Sequence, residues 1–121
     1  MLDTKEHSLL VVEDTFLIGM QLKQDLERLG YNVLGPAPSV SAALKLITNT
    51  TPGGAVLDVN LGREDSIPIA RKLSELSVPF LFITGFENVS IKSDEFGSRP
   101  LIRKPVLFDT LKTALAKLMD A

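Results

Sequence analysis

The stretch Ala55-Val56-Leu57-Asp58 decides the fold: a short, unalternating apolar run, β-branched at Val56, that breaks off at an acid. Such a run is what a central strand covered by helices on both faces requires. Three other runs repeat the design. Leu9–Val12 ends in Glu13-Asp14, Phe80–Ile83 ends in Thr84, and Leu101-Ile102 stops two residues before Lys104. In an open parallel sheet, ligands sit outside the carboxyl ends of the strands at a topological switch point. Polar residues placed just after successive strands therefore converge although they lie far apart in the chain.

Between the runs the apolar spacing turns helical. Ile18, Leu22, Leu26 and Leu29 predict a helix from Phe16 to Leu29, ended by Gly30. Tyr31–Leu34 reads as a strand closed by Gly35-Pro36, and Ser39 caps a helix that faces inward through Val40, Ala43, Leu44 and Ile47. Turn residues from Thr50 to Gly54 stop it. After Asp58, a loop through Asn60, Gly62 and Asp65 leads to Ser66 as the cap of a third helix, with Pro68 in its first turn and Ile69, Leu73 and Leu76 on one face. Val78-Pro79 opens the next strand. Gly85 to Pro100 is the least patterned part, with weak helical content around Val89–Phe96, and is expected to be mobile. Leu101–Arg103 is the last strand, and Phe108, Leu111, Leu115 and Leu118 mark the final helix. Strands alternating with helices predict an α/β fold: a (βα)5 doubly wound parallel sheet of five strands in the flavodoxin-like order 2-1-3-4-5, with a weak fourth helix.

Composition narrows the function. A chain of 121 residues with 45% hydrophobic residues builds one core, so residues 1–121 are expected to form a single domain. The net charge of −2 is spread among interspersed acids and bases, which gives neither a nucleic-acid footprint nor a polybasic membrane patch. With no cysteine and a lone His7, disulfides, thiolate chemistry and a histidine zinc site are out. No apolar run is long enough to span a bilayer or serve as a signal peptide, so a cytoplasmic location is expected.

The strand ends carry the chemistry. If the strands ending in Asp14 and Asp58 are neighbours, their backbones lie about 4.8 Å apart, and Glu13 adds a third carboxylate. Two like charges about 4 Å apart cost about 4 kcal/mol at an effective dielectric of 20, so the cluster needs a raised pKa or a bound cation. Magnesium, which takes hard oxygen ligands from one or two carboxylates and a phosphate, suits Glu13, Asp14 and Asp58. Thr84 adds a hydroxyl donor and Lys104 a positive charge for phosphoryl oxygens. Asp58 is the candidate nucleophile for an acyl phosphate. Taken singly, an acid after a strand is usually a helix cap, Thr84 a turn former and Lys104 a solvated side chain. Only the set is specific.

That set, Glu13-Asp14, Asp58, Thr84 and Lys104-Pro105 on successive strands in order, resembles the receiver domain of bacterial two-component response regulators over nearly the whole chain. The resemblance implies a phosphorelay switch in which Asp58 accepts a phosphoryl group from a histidine kinase or histidine phosphotransfer protein. It implies magnesium held by Glu13, Asp14, Asp58 and the backbone carbonyl of Asn60, with Thr84 and Lys104 on the phosphoryl group and a cis Lys104-Pro105 bond. Pro79–Phe86, Asp58–Gly62 and Arg99–Pro105 look like the "FAT GUY" subfamily, although Ile83 and Phe86 replace its commonest Ala and Tyr. Many receivers place a Tyr or Phe three residues before the lysine; here it is Leu101, so the implied output runs through Thr84 and ordering of Gly85–Arg99. Asn60 and Phe86 occupy the positions expected to set phosphate lifetime, Phe86 by shielding it from water.

The expectation is therefore a signalling domain and not an enzyme, acting through an unidentified downstream protein; a whole single-domain regulator, a phosphate shuttle or sink in a relay, and one receiver cut from a longer protein all fit this sequence. Two other readings compete. A pseudo-receiver would bind partners without phosphate, which the intact acids, Thr84 and Lys104 oppose. A magnesium-dependent phosphatase or nucleotide enzyme would want a GxGxxG or GxxxxGK[ST] loop, and neither occurs.

Overall fold

Side-chain alternation in three apolar strands builds both faces of this molecule. In the computed structural model, which describes residues 7–85 and 99–120, β1 (Ser8–Val12) turns Leu9 and Val11 to one side and Leu10 and Val12 to the other. Likewise β3 (Gly54–Asp58) divides Val56 from Ala55 and Leu57, and β6 (Phe80–Thr84) divides Leu81 and Ile83 from Phe80 and Phe82. Two cores result. α2 (Val40–Asn49) and α3 (Ile67–Glu75) close one with Ala43, Ile47, Ile69 and Leu73, while α1 (Phe16–Arg28) and α4 (Phe108–Asp120) close the other with Leu22, Leu26, Leu111 and Leu115. Each fully buried leucine or phenylalanine contributes about 1.5–3 kcal/mol of burial.

The sheet is completed by β2 (Asn32–Ala37) and β7 (Leu101–Arg103) and runs β2-β1-β3-β6-β7, every pairing parallel. Counting only these five strands, the order is the expected 2-1-3-4-5. The fourth helix expected at Val89–Phe96 lies outside the described residues, among which there are four helices. None of those helices is long and apolar enough to cross a membrane.

Three local expectations are corrected. The second strand does not close at Gly35-Pro36 but continues to Ala37, its register against β1 shifting between Leu10 and Val12. Gly35 makes this possible. It holds φ at +101°, and a Cβ there would sit 2.6 Å from the nitrogen of Ala37 and 2.7 Å from the carbonyl of Val11. The continued strand then receives Glu13 N–H at Ala37 O, 3.0 Å away, which anchors the first acidic residue.

The loop after Asp58 is a small antiparallel hairpin, β4 (Asn60–Leu61) with β5 (Glu64–Asp65). Ser66 stands at the start of α3 without a side-chain cap; Asp65 Oδ1 accepts the N–H of Ile67 at 3.0 Å instead. By contrast, Ser39 caps α2 as read, accepting from the Ala42 nitrogen.

Gly30 and Gly35 give a matched test, because Gly30 also has positive φ (+97°) but open space where a Cβ would go. Gly30→Ala is expected to cost about 1–2 kcal/mol from the backbone alone. Gly35→Ala should lose about 1–3 kcal/mol more from overlap with backbone atoms that cannot swing away. Urea unfolding midpoints of the two variants check this, and equal losses would contradict the close approach.

Candidate functional site

Glu13 follows the last residue of β1, Asp58 ends β3, Thr84 ends β6 and Lys104 follows β7, so the topology delivers all four to one rim. Glu13, Asp58 and Thr84 are buried and Asp14 is exposed. Glu13, Asp14 and Asp58 each offer a carboxylate oxygen, and these oxygens all lie within 4.8 Å of one another. Lys104 reaches across from the sheet's far side: its Nζ is 2.7 Å from Glu13 Oε1 and 2.8 Å from Asp58 Oδ2. Its backbone N–H donates to Thr84 O at 2.7 Å, and its stem passes Gly85, where a Cβ would be 3.5 Å from Lys104 Cδ.

The second carboxylate oxygens of Glu13 and Asp58 are held by main chain. Thr15 N–H donates to Glu13 Oε2 at 3.0 Å, and Asn60 N–H donates to Asp58 Oδ1 at 3.2 Å. Thr84 stands one residue past Ile83, the register partner of Asp58, and Val59 N–H bonds the carbonyl of Ile83 at 2.9 Å. The Lys104-Pro105 bond is cis, as the resemblance implied.

Burial raises the pKa of Glu13 from its ordinary 4.5 to about 7; neighbouring Asp58 pushes the same way, and the bonds from Lys104 and Thr15 only partly offset them. For Lys104 burial pulls downward, but its bonds to Asp58 and Glu13 outweigh that and leave the ammonium more basic than usual. Three carboxylates against one ammonium leave the rim with surplus negative charge. An all-oxygen donor set with such a surplus fits a small hard dication.

Sequence reasoning placed Lys104 on a phosphoryl group and missed its grip on Glu13, which depends on a long side chain crossing the two strands between β7 and β1. It also treated Gly62 only as a turn former. A Cβ there would lie 3.7 Å from Asp14 Oδ2, so the hairpin turn passes directly over that acid. Phe86 and most of the segment expected to order on signalling lie outside the described residues.

Beside the acids the surface becomes apolar. Phe16 and Leu17 at the start of α1 and Leu107 before α4 are 75%, 77% and 63% exposed. A cavity of about 410 Å³ opens there, lined by Leu17, Ile18, Leu22, Lys104, Pro105 and Val106.

Comparison with known proteins bears on this rim. Response regulator protein GraR of Staphylococcus epidermidis is 31% identical over 106 residues, 85% of this chain and 47% of GraR, so the chain spans about half the length of that curated relative. Among solved structures, SdrG from Sphingomonas melonis Fr1 is 34% identical with a TM-score of 0.79, covering 98% of this chain and 99% of SdrG. The PhyR response regulator REC domain of Erythrobacter litoralis is 26% identical with a TM-score of 0.84, covering 94% of this chain and 90% of that one. Residues 9–116 match the response regulator receiver domain, and with that span, these relatives and this strand order the chain belongs to the receiver domain family of response regulators.

Proposed function

We propose that Asp58 is the phosphoacceptor of this receiver and that phosphorylation switches its binding to a downstream protein. The observation that carries the reading is the Asp58 carboxylate at the end of the central strand, 2.8 Å from Lys104 Nζ and clustered with Glu13 and Asp14. An Asp58 carboxylate oxygen attacks the phosphorus of a phosphohistidine on a histidine kinase or histidine phosphotransfer protein. The O–P bond forms as the N–P bond breaks, and the departing imidazole nitrogen keeps the bonding pair and takes up a proton from water. Lys104, bonded to Asp58 before transfer, has the charge and reach to follow the phosphoryl oxygens, and the Thr84 hydroxyl donates to the same group. Glu13, Asp14, Asp58 and the carbonyl of Asn60 are the residues that would hold magnesium. When bound, magnesium neutralises charge on the phosphoryl oxygens.

Several finer assignments belong to the same proposal. The chain is a switch that assists its own phosphorylation and not a metabolic enzyme, and it works in the cytoplasm. Its place in the FAT GUY subfamily rests on Pro79–Phe86, Asp58–Gly62 and Arg99–Pro105. With Leu101 in place of an aromatic switch residue, output passes through Thr84 and the segment that follows it. The kinase or phosphotransfer helix docks at exposed Leu17, on the cavity it shares with Ile18, Leu22, Pro105 and Val106 beside Lys104.

Incubation with magnesium and acetyl phosphate, read by intact mass, should add one phosphate to the wild type and none to Asp58→Asn; an unchanged adduct in the variant refutes the assignment. Leu17→Asp should slow transfer from a phosphorylated kinase by about tenfold or more, as for a buried anchor at an interface, and leave labelling by acetyl phosphate intact.

The raised pKa of Glu13 gives a pH dependence. Between about 4.5 and about 7 folded Glu13 keeps a proton that the unfolded chain has lost, so the metal-free protein loses this contribution to stability as pH rises through that window. Divalent binding must expel the proton, so apparent magnesium affinity should climb by up to about tenfold per pH unit below 7 and level off above it. Calorimetry in buffers of different ionisation enthalpy measures the released proton, and a pH-independent affinity contradicts Glu13 as a ligand.

A further inference from the structure

The hairpin after Asp58 touches three places at once. Its first strand sets Asn60 N–H on Asp58 Oδ1 at 3.2 Å, and its turn carries Gly62 over the Asp14 carboxylate. Its second strand sends Glu64 Oε1 to the backbone nitrogen of Val40, the first residue of α2, at 2.9 Å and 24 residues away in the chain. The next residue turns the other way, Asp65 accepting from Ile67 at the head of α3. Two adjacent acids thus occupy the amino ends of two different helices, where backbone N–H groups lack partners and the helix dipole favours negative charge.

α2 does not need Glu64 in order to start, because Ser39 already accepts from the Ala42 nitrogen. The hairpin needs it more. Its strands have two residues each, paired Asn60 with Asp65 and Leu61 with Glu64, and so short a hairpin is unstable by itself. Buried Leu61 pins the first strand to the core, and buried Ser66, just past the second strand, donates its N–H to Val59 O at 3.1 Å; Glu64 and Asp65 themselves are exposed and add their carboxylates to the two helix ends.

We propose that Glu64 is a positioning residue for the acidic site: by tethering the hairpin's outer strand to α2, it keeps Asn60 and Gly62 seated against Asp58 and Asp14. The proposal rests on reading that cluster as the metal and phosphoacceptor site. It also ties the head of α2 mechanically to the loop that follows the phosphoacceptor.

The test compares wild type, Glu64→Ala, Glu64→Gln and Ser39→Ala. Ser39→Ala removes the other cap of the same helix and serves as the control for a purely structural role. Magnesium titrations followed through the amide signals of Asn60 and Gly62 give affinity, and hydrogen exchange of the same amides without metal gives seating. Glu64→Ala should weaken magnesium binding on the order of tenfold, as loss of a supporting partner does, and speed exchange at both amides. Glu64→Gln keeps an oxygen that can accept from Val40 and should restore most of both. Ser39→Ala should lower the thermal midpoint and leave magnesium affinity and exchange at the wild-type values. The proposal falls if Glu64→Ala exchanges like wild type, if Ser39→Ala loses as much affinity as Glu64→Ala, or if Glu64→Gln is no better than Glu64→Ala. A wild type that takes up no magnesium overturns the metal reading itself, and the metal-free exchange data still judge the tether.

Discussion

Among the described residues, Lys104 Nζ, 2.7 Å from Glu13 and 2.8 Å from Asp58, is the one cation that holds these two buried acids together, with Asp14 close beside them. Everything at the rim follows from that imbalance. One ammonium satisfies part of the charge, burial works against the rest, and Glu13 responds by holding its proton towards neutrality. The shortage of positive charge is what gives this all-oxygen cluster the character of a site for a small hard dication.

The sheet is what lets the acids be held so close. Glu13 is tied by its own N–H to Ala37, Asp58 sits on a strand buried along its whole length, and Lys104 is tied to Thr84 by its backbone. Glu13, Asp58, Thr84 and Lys104 thus leave from main chain that is hydrogen-bonded to a neighbouring strand. Packing on both faces, with Phe80 and Phe82 edge to face at 5.5 Å, stiffens the strands from which they emerge.

How much of this was legible depended on whether the signal was local. Leu9–Val12, Ala55–Leu57 and Phe80–Ile83 read as central strands because a strand covered on both faces must be apolar at every position. The polar residues at their ends were legible for the same reason, since each broke a clean run. Gly35-Pro36 misled because that dipeptide is ordinarily a turn, whereas here the glycine supplies a positive φ that lets β2 shift register and continue. Ser66 and Asp65 are both good capping residues one position apart; Ser66 sits at φ −90°, ψ 8° rather than in extended backbone and turns its hydroxyl to Val59 O, which leaves the capping to the acid. The hairpin strands are too short for any periodicity to mark them, and the contact of Lys104 with Glu13 exists only once the strands are ordered in space.

The sheet's described edge at β7 is three residues long and bracketed by Pro100 and Pro105, neither of which carries an N–H to offer. A foreign strand would find almost no ladder to extend there, which protects an open sheet from polymerising edge to edge. A fold that must keep one rim reactive can in this way leave its flank inert.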